Sequence, residues 1–351
     1  MQLDFIKIHG TGNDFIVVDD LSEEIELTAT QVQKLCDRHF GIGADGVILV
    51  RPSKHADCTA YMHYINSDGS LAEMCGNGVR CFAKFLVDLG FVNLKEGERN
   101  EAGERCGFFI ADTKAGKRPV HFTVDENGRL VSATVNMGEP RFAPQDIPTT
   151  MPATEKTAIA QPDGTKVLED VVHLSGNMAS DMVVLESGPV AGFVDVIAAA
   201  RLSLPDIKSL TCVSMGNPHL VIFLDESVDL SAYEIALPGA LLEKNAELFP
   251  EGTNVEFAIL APHMVCGEGI VLGSDDSAHI QMRVWERGCG ETLACGTGAC
   301  ATAVAAAVFE NVQRRAVVHL PGGELTVEWR LDNQVYLTGP AQMVFQGSVE
   351  L

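Results

Sequence analysis

A chain of 351 residues, 46% apolar and 21% charged, holds enough material for one large or two ordinary soluble globular domains. Its formal net charge of −23 works against a polyanionic partner such as nucleic acid. The near-apolar run from Ala299 to Phe309 is too short to cross a membrane, and MQLDFIKIHGTGNDF has no apolar core of signal-peptide type, so a cytoplasmic protein without a membrane partner is expected.

FIKIHGTGNDFIVVDD reads as a strand, a glycine turn and a second strand ending at Asp19. TATQVQKLCDRHFG reads as a helix: Thr28 offers a cap with Gln31 three residues on, and Gly41 follows its end. GVILV and AYMHYIN are strand-like. Val79, Phe82, Ala83, Leu86 and Leu89 then form a helical stripe that stops at Gly90. Asn93 to Pro119 is charged and glycine-rich and reads as an exposed excursion. The stretch from Glu139 to Thr165, with five prolines, reads as an irregular connection near a domain boundary. Strands resume with VVHL, MVVLE, HLVIFLD, VEFAIL and HIQMRVWE, followed by a second helix-like run and closing strands to MVFQGSVEL.

Two short passages echo one another. MCGNGVRC and ACGTGACA each place Cys-Gly-x-Gly ahead of a helical run, at Cys75 and Cys295. Upstream, GTGNDFIVVD is echoed by SMGNPHLVIFLD, and GADGVILV by GTNVEFAIL. The order of events points to two related α/β halves with a cleft between them.

A cysteine just ahead of a helix meets unpaired backbone N–H groups and the positive end of the dipole. Such positions can bring a thiol from about 8.5 down to roughly 3.5–7.5, which would make it a usable base. The glycines let the backbone approach a ligand and aim N–H groups at a carboxylate. With an amino-acid α-carbon between two such sulfurs, one thiolate removes the proton from one face and the opposing thiol delivers one to the other. Inversion needs two similar groups, which accounts for the repetition. A lone buried cysteine is more often structural, and Cys81 and Cys300 behind the turns read as core. Of the ten cysteines, none forms a C-x-x-C pair, so reduced thiols are expected and a zinc site has little support.

The motifs HGTGNDFIVVD, NSDGSLAEMCGNGVRCFAKF, VSMGNPHLVIF, GTNVEF, ERGCGETLACGTGACA and LPGGELTVEW resemble, in order, those of the diaminopimelate epimerase family. The resemblance implies an α/β (α+β) fold of two pseudo-symmetric domains, each a curved, barrel-like, mainly antiparallel sheet around a central helix. The active site then lies in the interdomain cleft. The domains expected are 1–130 with 340–351, carrying Cys75, and 131–339, carrying Cys295. The implied activity is cofactor-independent, metal-free inversion of LL-2,6-diaminopimelate to the meso form, for lysine and peptidoglycan precursors, with Cys75 and Cys295 as the acid/base pair. Carried over by motif, Asn13, Asn66, Asn217, Asn254 and Arg287 are substrate contacts. Gly76, Asn77, Gly296 and Thr297 grip the α-carboxylate at the helix ends, and His219 and Glu286 tune the two thiols. Homodimers are common in the family, and the segment with Phe345 aligns with a dimerising region.

Each of these residues has a plainer reading. The asparagines suit turns, His219 suits a satisfied core or surface position, and Glu286 with Arg287 suits a solvated strand end. Two features depart from the family pattern: Gly46 stands where some members carry a substrate-contacting glutamine, and the chain is longer than typical. The nearest rival is a two-cysteine racemase of proline, hydroxyproline or histidine. A thiol metal site at Cys75, Cys295 and His219 is a weaker alternative. Weaker still is nucleotide binding, because GTGNDF lacks the lysine of a phosphate loop.

Overall fold

The structure, a computed structural model, describes residues 2–72, 75–94, 98–100, 102–160, 165–175, 199, 206–261, 265–266, 270–271, 277–310 and 312–351. The expected strand MVVLE lies outside these residues. The chain forms two compact units, Met1–Asn136 with Leu337–Leu351, and Met137–Tyr336.

In chain order the first unit contains β1 (Gln2–Gly10), β2 (Asn13–Asp19), α1 (Ala29–Cys36), β3 (Gly46–Arg51), β4 (Ala60–Asn66), α2 (Gly76–Asp88), β5 (Cys106–Thr113), β6 (Gly116–Val124) and β7 (Leu130–Gly138). Then come β8 (Glu155–Ala160), β9 (Lys166–Val171), β10 (His173–Ser175), β11 (Ile207–Ser214), β12 (Pro218–Leu224), α3 (Ala236–Glu243), β13 (Asn254–Ala261), β14 (Val265–Cys266), β15 (Ile270–Val271), β16 (Ala278–Glu286) and β17 (Gly290–Thr292). The chain closes with α4 (Gly296–Phe309), β18 (Arg315–Leu320), β19 (Gly323–Trp329), β20 (Val335–Pro340) and β21 (Gln342–Glu350).

The opening hairpin turns through Thr11 (φ 53°) and Gly12 (φ 87°), so both central residues are left-handed, as a two-residue turn matched to strand twist requires. Its closing pair is Gly10 with Asn13, which puts Asn13 at the start of β2. β2 then runs parallel to β3, β3 antiparallel to β4, β4 parallel to β5, and β5 antiparallel to β6. The second unit repeats the succession: β11 and β12 are antiparallel, β12 and β13 parallel, β13 and β16 antiparallel, β16 and β18 parallel, β18 and β19 antiparallel.

In each unit the longest described helix lies against several strands. In the first, α2 lies on β1, β2, β3, β4 and β21. On the other face of these strands Ile16, Val18, Val47 and Leu49 join Val32 and Leu35 of α1 in a buried cluster. Central strands covered on both faces read as unbroken apolar runs, which is why GVILV shows no alternation. In the second unit α4 lies on β11, β12, β13, β16, β18 and β19. It is buried from Ala299 through Ala306, and its run of small residues lets surrounding strands approach closely.

α1 carries the full capping box expected of Thr28 and Gln31, but ends at Cys36, short of Gly41. Asp37 stops it by accepting N–H bonds from His39 and Phe40, a local turn that competes with the next helical turn. The stretch 93–119 corrects a second expectation, because much of it is the β5–β6 hairpin, with Phe109 and Ala111 buried. Most of its charged residues fall at 95–105, ahead of β5, which gave it the composition of a loop. The proline-rich stretch also does more than connect. Phe142, Ile147 and Met151 are buried, and residues 155–160 pair with 166–171.

Asp14 ties the hairpin to the loop before β3: its carboxylate meets Lys7 at 2.9 Å and Arg38 at 2.8 Å. Burial alone would raise this carboxyl, but the bonds from Arg38 and Lys7 outweigh it and hold it at about 2, against 3.8 ordinarily. A depressed carboxyl contributes stability that is full above the unfolded-state value and is lost as pH falls through the folded one. Asp14→Asn should therefore cost about 2 kcal/mol near neutral pH. Urea titrations should show the gap to the unsubstituted chain closing as pH drops from about 4 toward 2. A gap independent of pH would contradict the assignment.

Candidate active site

Cys75 is the N-cap of α2, extended at φ −139° and ψ 122°, and its sulfur accepts the Gly78 N–H at 3.5 Å. The sulfur thus takes one of the donors that a helix start leaves without an intrahelical acceptor. Asn13 stands beside it. The Asn13 amide nitrogen donates to Asp45 Oδ2 at 2.7 Å, and Arg38 holds the same carboxylate at 2.7 Å. Because a carboxylate only accepts, this contact fixes which way the amide points. Its oxygen faces Cys75 Sγ at 3.7 Å and receives the Asn77 amide at 3.1 Å. Hydrogen-bonded asparagines therefore orient the half-buried Cys75.

Cys295 repeats the cap on α4 at φ −121° and ψ 116°, with the Gly298 N–H donating to its sulfur at 3.4 Å. Here the surroundings differ. Thr297 Oγ1 lies 3.5 Å from the sulfur, and Glu286 forms a side-chain hydrogen bond with it. Burial first, then the Glu286 and Glu256 carboxylates, push the thiol well up, against smaller opposing effects of Thr297 and Gly298. The helix-end reading anticipated a lowered thiol. At Cys295 desolvation and two carboxylates outweigh the helix end, and the shift favours the protonated thiol. Glu286 is itself raised by burial, despite bonds from Thr292 and Cys295 that lower it.

His219 is fully buried on β12, its Nδ1 2.7 Å from Glu256 Oε1 and its Nε2 3.0 Å from Asn217 Oδ1. The Asn217 amide nitrogen then donates to Thr297 Oγ1 at 3.3 Å. The structure thus joins Asn217, His219, Thr297 and Cys295 in one network, with Gly296 opening the helix. Glu256, within GTNVEF, completes that network, and no local pattern in the sequence sets it apart.

The other candidates occupy varied surroundings. Asn254 is buried, donating to the Pro218 carbonyl at 2.9 Å and accepting the Arg287 N–H at 3.0 Å, so its amide braces the strand ends. The exposed Arg287 side chain donates to the Glu251 carbonyl at 3.0 Å. Asn66 ends β4, its amide on Ser70 Oγ at 3.0 Å. Gly76 and Gly296 are the first residues of α2 and α4. A Cβ on Gly46 would sit 2.6 Å from both the Ile65 carbonyl oxygen and the Tyr64 ring, so this site has no room for the glutamine of some relatives. Among the described residues, no three His, Cys, Asp or Glu side chains are grouped to hold a metal ion.

Removing the Glu286 charge removes an influence that keeps the Cys295 thiol protonated. Glu286→Gln should therefore speed iodoacetamide alkylation of Cys295 at neutral pH, followed by peptide mass spectrometry. An unchanged or slower rate would contradict the role given to Glu286.

The family model described as diaminopimelate epimerase matches residues 5–143 and 211–344. The diaminopimelate epimerase of Synechocystis sp. is 42% identical to this chain, with both chains covered in full. That of Synechococcus elongatus is 40% identical over 100% of this chain and 99% of its own. Among solved structures, the Bacillus anthracis phenazine biosynthesis protein of the PhzF family superposes with a TM-score of 0.60 at 16% identity, covering 100% of both chains, which speaks for a shared strand-rich α/β fold. Full-length identity at this level, with both Cys-Gly-x-Gly turns inside the matched segments, shows that the chain belongs to the diaminopimelate epimerase family.

Proposed function

We propose that this diaminopimelate epimerase inverts LL-2,6-diaminopimelate to the meso form by a two-base mechanism in which Cys75 and Cys295 act on opposite faces of one α-carbon. The carrying observation is the shared local geometry: each sulfur caps a helix and accepts the N–H three residues on. In this reading the two units are pseudo-symmetric halves, each a curved sheet around its central helix.

The chemistry balances without a cofactor. One thiolate takes the α-proton, the C–H electron pair passes into the carbanion conjugated with the carboxylate, and the opposing thiol protonates the other face. N–H groups of the first helical turns, at Gly76 and Asn77 and at Gly296 and Thr297, stabilise charge developing on that carboxylate. Cys295, held protonated by burial, Glu286 and Glu256, is suited to start as the donor. Asn13 and Asn217, both already oriented by neighbours, meet the reacting amino-acid head with Asn66. Asn254 holds the backbone of Arg287, whose exposed guanidinium suits the distal carboxylate.

Cys75→Ala and Cys295→Ala should each abolish epimerisation of LL-diaminopimelate, measured by chiral chromatography. Full activity in either variant removes that residue from the mechanism. Incubating the purified protein in deuterated buffer with LL-diaminopimelate, L-histidine and L-proline tests the substrate: α-deuterium should enter the first. No exchange there, or exchange into histidine or proline instead, would overturn the assignment.

A further inference from the structure

Glu256 is fully buried, and its Oε2 makes no hydrogen bond among the described residues. An unsatisfied buried carboxylate oxygen is costly and calls for a reason. Its other oxygen holds His219 Nδ1 at 2.7 Å, while His219 Nε2 meets the Asn217 carbonyl oxygen at 3.0 Å. A neutral imidazole has one donor and one acceptor nitrogen, whereas here both nitrogens face oxygen acceptors. The arrangement is satisfied when both carry protons.

The two units provide an internal control. In the first, parallel pairing sets Phe15 of β2 against Gly46 of β3. In the second it sets His219 of β12 against Asn254 of β13. Two residues further along β3 stands Ile48, whose Cδ1 lies 3.6 Å from where a Cβ on Gly78 would be. Two residues further along β13 stands Glu256, whose Oε1 lies 2.6 Å from where a Cβ on Gly298 would be. The same place beneath the first helical turn is thus apolar in the Cys75 unit and a hydrogen-bonded histidine–glutamate pair in the Cys295 unit. Packing does not require the pair, since Phe15 and Ile48 fill the equivalent position. Replacing a buried ion pair by apolar residues is often neutral or stabilising.

We propose that Glu256 is a positioning residue for the epimerisation. It fixes the orientation and double protonation of His219, and through Asn217 and Thr297 that alignment reaches the Cys295 sulfur. Gly298 is glycine because a side chain there would strike this carboxylate. The inference rests on the two-thiol reading, but its spectroscopic test does not depend on activity.

The test uses the full chain labelled with 15N-histidine, with His219 assigned through Glu256-intact His219→Asn protein. The unsubstituted protein should show both His219 ring nitrogens at protonated shifts. Glu256→Gln should leave one bare nitrogen and lower kcat about 100-fold with KM little changed, the lower end of what positioned acid–base groups contribute. Glu256→Asp, which keeps the charge, should retain the doubly protonated ring and recover much of the lost rate. Failure of the unsubstituted protein to turn over diaminopimelate would count against the function and leave the NMR prediction standing. Unchanged ring shifts and kcat in Glu256→Gln would overturn the positioning role. If Glu256→Gln does not fold, a folded Glu256→Asp with neutral His219 overturns it equally.

Discussion

The structure turns on a sulfur placed where a buried helix leaves its first backbone donors without partners. At Cys75 and Cys295 the thiol group closes that gap by accepting the third N–H of the helix, in an extended cap conformation. The glycines follow from the same requirement. Gly298 lies where any side chain would collide with Glu256, while Gly78 stands under looser apolar contacts. Capping also fixes the sulfur relative to the remaining first-turn N–H groups, the kind of donors that a carboxylate needs.

Shared backbone geometry does not make the two sulfurs chemically equal. Around Cys75 the contacts are amides, Asn13 and Asn77, steered by Asp45 and Arg38. Around Cys295 they are acidic and hydroxylic, with Glu286, Glu256 and Thr297, and burial with the two carboxylates pushes the thiol up. Two like helices offer like dipoles, so the difference between the two sulfurs comes from these side chains.

Where local chemistry decides, the sequence was legible. Thr28 with Gln31 marked a cap, GTGND a tight hairpin, and the apolar runs of β2, β3 and β12 marked strands. The paired cysteines stood out because their contexts match. Residues 93–119 misled because the charges at 95–105 run directly into the β5–β6 hairpin, where Phe109 and Ala111 are buried. Glu256 escaped because a glutamate alternating with apolar neighbours looks like the outward residue of a half-buried strand. Only the helix laid over β13 makes that face interior, and only the fold brings His219 to it. The direction of the Cys295 shift was hidden likewise: a helix end is visible in sequence, but the burial and carboxylates that overcome it are assembled in three dimensions.

In the proposed two-base reaction the group that removes the α-proton does not return it, because the group on the opposite face delivers a proton of solvent origin. Isotope analysis of the first turnovers of LL-diaminopimelate in deuterium oxide tests it most directly. The account predicts that newly formed meso product carries one deuterium at the inverted carbon while the remaining LL substrate stays unlabelled. Product that keeps its original α-hydrogen would contradict it, because that result requires a single base passing the proton across one carbon.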